Sequence, residues 1–138
     1  MPTINEIENE IIEEFTMFED WNTKYEYIID IGKELQLIDE KLKTDEYKVS
    51  GCQSQVWICT EFKDGKVYFT ADSDAIITKG IIALLIMVLS GQKPEDILNA
   101  DLSFVEKIGM KEHLSINRAN GLSAMINRMK AETSKFIK

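Results

Sequence analysis

Val56-Trp57-Ile58-Cys59-Thr60-Glu61-Phe62-Lys63-Asp64-Gly65-Lys66-Val67-Tyr68-Phe69-Thr70 reads as a β-hairpin. β-Branched and aromatic residues dominate Val56 to Phe62 and Val67 to Thr70, and the Asp-Gly pair between them is a two-residue turn signal. Downstream, Ala75 to Leu89 is apolar almost all round, broken mainly by Thr78 and Lys79. A helix without a polar face belongs in the middle of a fold. Ser73 or Asp74 is placed to cap it, and Gly91 to end it. Pro94 opens a short helix through Leu98, and Asp101 to Ile108 reads as another. His113 to Asn117 is a connection. A last helix runs from about Asn117 to Phe136, with Leu122, Met125, Ile126 and Met129 as its inner stripe.

Upstream of the hairpin the period changes to that of helices. Thr3-Ile4-Asn5-Glu6 has the form of a capping box, and Ile4, Ile7, Ile11, Phe15 and Phe18 recur at helical spacing. A break falls near Asp20-Trp21-Asn22. Tyr25, Ile28, Ile29, Gly32 and Leu35 then carry a second stripe. Asp39 to Asp45 is a charged connection, and Tyr47 to Ser50 is expected to add a short first strand. The expected architecture is α+β in one layered domain spanning 1–138: two N-terminal helices, a small three-stranded antiparallel sheet, a buried central helix and further C-terminal helices.

Composition narrows the function. A formal net charge of -8 argues against a basic nucleic-acid-binding surface and against attraction to anionic lipid. The longest apolar run, Ile81 to Leu89, is far shorter than the ~20 residues of a membrane helix. The N-terminus lacks a basic region followed by an apolar stretch, so no signal peptide is read. Two cysteines and one histidine cannot assemble an ordinary four-ligand Cys/His zinc site, and no metal site is expected. A cytoplasmic setting with free thiols is the expectation.

Few residues remain for covalent work. Cys52 follows Gly51 where a polar stretch ends and the hairpin begins, so a loop can present its thiol for sulfur chemistry. The structural alternative is a small buried hydrophobe. Lys48 is the nearest cation in sequence. Cys59 lies inside a strand and reads as packing. His113, the lone histidine, is a proton-transfer candidate or a loop hydrogen-bonding residue. Arg118 opens the last helix, where a cation opposes the helix dipole, which suits a carboxylate partner or a docking role. Asp72 and Asp74 flank Ser73, and capping accounts for one of them. Gly80 and Gly121 each cost up to ~1 kcal/mol inside a helix, which points to close packing.

Three separated motifs carry a resemblance. Val49-Ser50-Gly51-Cys52-Gln53-Ser54-Gln55-Val56-Trp57 resembles the signature of the SufE family of sulfur-acceptor proteins. Asp72-Ser73-Asp74-Ala75 with Lys79-Gly80 resembles that family's central-helix entry. His113-Leu114-Ser115, Arg118 and Asn120-Gly121-Leu122 resemble its last-helix entry. The resemblance implies a fold related to IscU scaffolds, no cofactor and no independent turnover. It implies sulfur taken onto Cys52 from a SufS-type cysteine desulfurase, which the chain stimulates, and delivery to a SufB-type scaffold. Gly51, Gln53, Ser54, Asp74, His113 and Arg118 fall at supporting or partner-binding positions. Close CsdE-type relatives share the pattern, and a homodimer stays open. The competing readings are a non-covalent desulfurase regulator and a metal scaffold built from Cys52, Cys59, His113 and an aspartate.

Overall fold

The computed structural model describes residues 2–52, 54–109 and 116–137. In chain order these form α1 (Ile4–Thr16), α2 (Trp21–Lys33), a 3-10 turn (Glu40–Leu42), β1 (Val56–Lys63), β2 (Lys66–Ser73), α3 (Ile76–Leu89), α4 (Pro94–Asn99), α5 (Phe104–Lys107) and α6 (Ile116–Ser134). The mixed α+β class is as expected.

The helix starts follow local chemistry. Thr3 Oγ1 accepts the Glu6 N–H at 3.1 Å and donates to Glu6 Oε1 at 3.2 Å, closing the capping motif. Asp20 Oδ1 accepts the Thr23 N–H at 2.7 Å, so the break lies just before Trp21 and α2 begins there. At the start of α3 the structure corrects the expected caps. The N-cap is Ala75, which makes no side-chain cap bond. Ser73 Oγ accepts the Ala75 N–H at 3.2 Å, and Asp74 is engaged elsewhere.

The hairpin is longer than its apolar arms. β1 and β2 pair antiparallel from Val56↔Ser73 to Lys63↔Lys66. Asp64 and Gly65 have φ of 53° and 79°, the paired positive values that a tight hairpin turn requires. Among the described residues the expected third strand is absent, and the sheet has two strands. Residues 44–48 are wound into turns, with the Tyr47 N–H donating to Thr44 and the Lys48 N–H to Asp45. Gly51 then bends the chain away at a φ of 91°. Between those turns only the Lys48↔Trp57 bridge can form.

Both sheet edges are nonetheless engaged by loops, as exposed edges usually must be. On the β2 side, Val67 N–H donates to Gln92 O at 2.9 Å, Phe69 N–H to Ser90 Oγ at 3.0 Å, and Ile38 N–H to Ala71 O at 3.1 Å. On the β1 side, Ile58 N–H donates to Tyr47 O at 3.0 Å.

α3 supplies much of the core through Ile81, Ile82, Leu84, Leu85, Val88 and Leu89, all buried. It is less enclosed than its composition suggests, because Ile76 and Met87 are 65% and 45% exposed. α2 packs directly on α3 where Gly32 faces Gly80. A Cβ on Gly80 would lie 2.3 Å from the Ile28 carbonyl oxygen, so the two backbones can touch only without one. On the last helix, Leu122, Met125 and Met129 are buried as expected, while Ile126 is only partly so. Among the described residues no helix is long and apolar enough to cross a membrane.

Candidate functional site

The loop that carries Cys52 is pinched at its base. Val49 N–H donates to Val56 O at 2.8 Å, which closes the base of the loop where the chain enters β1. Gly51 sits in the left-handed region, where a side chain would strain the backbone. The far side of the loop is tied to the entry of α3. Gln55 N–H donates to Asp74 Oδ1 at 3.0 Å, and Asp74 N–H donates back to Gln55 O at 3.2 Å. Asp74 therefore shapes the sulfur loop instead of capping a helix.

α6 is the floor beneath it. The Cys52 thiol faces the Gly121 carbonyl oxygen at 3.6 Å, and a Cβ on Gly51 would lie 3.3 Å from that of Ala124. One helical turn further on, Arg128 reaches the strand-side stem. Its Nη1 donates to Lys48 O at 3.1 Å and its Nη2 to Glu46 O at 2.7 Å, while Nε donates to Glu132 Oε1 at 3.2 Å. Sequence reasoning missed Arg128. Its only local signal is Glu132 four residues on, which reads as an ordinary surface pair.

Cys52 is partly buried, and burial pushes its thiol above the ordinary value. Reactive thiols are usually activated by the opposite shift. The resting thiol is thus protonated near neutral pH and sheltered. Cys59 is buried, opposite Thr70 in the hairpin. Its thiol is also pushed up, first by burial and then by Glu61, against a lowering hydrogen bond from Thr70. Strand packing accounts for it.

Asp72 and Asp74 are engaged by different partners. Asp72 accepts Lys43 Nζ at 2.5 Å on one oxygen and lies 3.4 Å from Lys79 Nζ on the other. Burial alone would raise its carboxyl, but the Lys43 hydrogen bond, the Ser73 N–H and both lysine charges outweigh that and hold it low. Lys43 also lies over the Trp57 ring, 5.5 Å from its centroid, so this network buttresses the start of β1. Ser54 lies in the loop, partly buried. Gln53, His113 and the Arg118 side chain lie outside the described residues; Arg118 itself falls in the first turn of α6. Among the described residues no three His, Cys, Asp or Glu side chains converge as a metal site.

The fold and this loop define an α+β protein with a sheltered thiol held between a hairpin and a long helix. The SufE family model, described as an Fe-S metabolism associated domain, matches residues 9–133. An uncharacterized SufE-like protein of Rhizobium meliloti (strain 1021) is 40% identical over 129 residues, covering 90% of this chain and 92% of that one. A SufE-like protein of Rhizobium etli, also uncharacterized, is 37% identical over 129 residues, covering 90% and 87%. The solution structure of a hypothetical protein from Thermus thermophilus superimposes with a TM-score of 0.79 at 21% identity, covering 94% of each chain, which establishes the shared fold. The chain belongs to the SufE family, which ties it to iron–sulfur metabolism.

Proposed function

We propose that this chain, one SufE-like domain over 1–138, is a sulfur acceptor acting in the cytoplasm. Cys52 takes persulfide sulfur from a SufS-type cysteine desulfurase and passes it to a SufB-type scaffold. The observation that carries this reading is the contrast between the two thiols. Cys52 sits on a pinned loop with partial access, whereas Cys59 is buried within the hairpin.

The step is thiol exchange. The Cys52 thiolate attacks the outer sulfur of the partner's persulfide, and a new S–S bond forms. The old S–S bond breaks, the partner's cysteine leaves as thiolate, and the proton of the outer sulfur stays with it. No net oxidation or reduction occurs. A resting thiol with a raised pKa is a poor nucleophile, so the partner must expose the loop and favour the thiolate. Gly51 and Asp74 set the loop's shape, and Ser54 sits within it. Gln53, His113 and Arg118 are assigned to partner engagement on the motif resemblance alone.

Intact-mass measurement after mixing with a SufS-type desulfurase and L-cysteine tests this. The wild type is expected to gain the mass of sulfur and Cys52→Ser to gain none. Sulfur retained by Cys52→Ser would move the site to Cys59. Full desulfurase stimulation by Cys52→Ser, with no sulfur gained by either protein, would make the chain a regulator instead.

A further inference from the structure

We propose that Arg128 is a positioning residue that latches the Cys52 loop in its sheltered resting place. The inference rests on the reading of Cys52 as the sulfur-carrying thiol and adds how its access is set.

On α6, Gly121, Ala124 and Arg128 touch the loop and its stem. They are spaced three and then four residues apart, which places them along one face of the helix. Gly121 and Ala124 offer the tip only a weak thiol-to-carbonyl contact at 3.6 Å and apolar packing. The loop's other directional ties, Val49 to Val56 and Asp74 to Gln55, run to β1 and to the entry of α3 and do not join it to α6. Arg128 makes the directional contacts. Its guanidinium spans the carbonyls of Glu46 and Lys48, two residues apart on the stem. Charge-assisted bonds from a rigid fork fix both distance and orientation. Glu132 accepts the remaining Nε proton and holds the fork in line.

Towards β1 the stem is held by buried Val49 and by the Lys48↔Trp57 bridge, whose bonds run from Ile58 N–H to Tyr47 O and from Val49 N–H to Val56 O, in place of a continuous strand ladder. Towards α6 its directional bonds come from Arg128. Arg128 therefore determines how closely the segment before Gly51 lies on α6, and through it how deeply Cys52 sits against Gly121. A partner that draws Arg128 off the two carbonyls, or lifts the stem from α6, releases the thiol.

The test is alkylation of the free protein by iodoacetamide, followed residue by residue by peptide mass mapping, with Cys59 as the internal gauge of general loosening. Removing hydrogen bonds to a charged group should speed Cys52 labelling in R128A at least about fivefold. Cys59 should stay at its wild-type rate. R128K, which can reach one carbonyl but not both, should fall between. If R128A fails to fold, R128Q takes its place, with the same rise expected. An unchanged Cys52 rate, or equal rises at Cys52 and Cys59, would overturn the latch. The same samples are offered sulfur from a desulfurase. Wild type that takes none sinks the sulfur-acceptor reading and leaves the labelling order standing; normal sulfur gain with a flat labelling order sinks the latch alone.

Discussion

The Cys52 thiol donates weakly to a carbonyl and is held above its ordinary pKa by burial. A raised thiol pKa in the fold means that the folded state keeps its proton after the unfolded chain has lost its own. The associated stability is present below the unfolded thiol's pKa and lost as pH rises through the folded value. The kinetic counterpart is direct, because only thiolate is alkylated. Plotted against pH, the iodoacetamide rate at Cys52 is expected to reach half-maximum at higher pH in the folded protein than in the chain unfolded by urea. A folded midpoint at or below the unfolded one would contradict the sheltered thiol. Position and residue type of Cys52 were legible in the sequence. Its shelter was not, because the Gly121 carbonyl lies 69 residues away along the chain.

At the scale of elements, the α2–α3 crossing brings two helix backbones into direct contact. Gly80 has Ile28 backbone and side chain within 2.8 Å of where its Cβ would stand, and Gly32 has the Gly80 backbone within 3.0 Å. Side-chain rearrangement cannot relieve the crowding, since the obstacles are mostly backbone. Gly80→Ala should cost about 2–3 kcal/mol, as overpacking within a core does, and urea unfolding at constant m should show it. A stabilised variant, as helix propensity alone would give, would refute the close approach. The periodic pattern already marked Gly80 as anomalous within a helix. Its partner Gly32 reads in the sequence as one more position on an apolar stripe. The missing third strand has a similar origin. Tyr47 to Ser50 has strand-like residues, but turns on both sides leave room for a single bridge.

At the scale of the whole molecule, Glu8 ties α1 to α5, 96 residues away along the chain. It is buried in α1, and its Oε2 accepts the Phe104 N–H of α5 at 3.4 Å. Burial raises its carboxyl, the Phe104 hydrogen bond opposes this, and Asp101 raises it further. A raised carboxyl contributes stability fully below its unfolded pKa and loses it as pH climbs through the folded value. At neutral pH the ionised side chain is therefore a cost. Glu8→Gln keeps an acceptor for Phe104 and removes the charge. Its melting temperature should exceed that of wild type at pH 7, with the gain shrinking as pH falls through the carboxylate range. A gain that grew on acidification would overturn this account.

By itself the sequence determined what neighbours along the chain can decide: the Thr3 cap, the Asp64-Gly65 turn, the apolar α3, the glycine before Cys52 and the SufE motifs. These depend on dihedral preference, hydrophobic period and hydrogen bonds spanning a few residues. Only the tertiary structure decided how the polar groups are shared out. It sent Asp72 to Lys43 and Lys79, Asp74 to Gln55, and Arg128 across 80 and 82 residues to the stem of the loop. A charged side chain carries no mark in its own vicinity of a partner this far along the chain. Which carbonyl or carboxylate it meets is settled when the apolar faces pack, and here that packing brings α6 beneath Cys52.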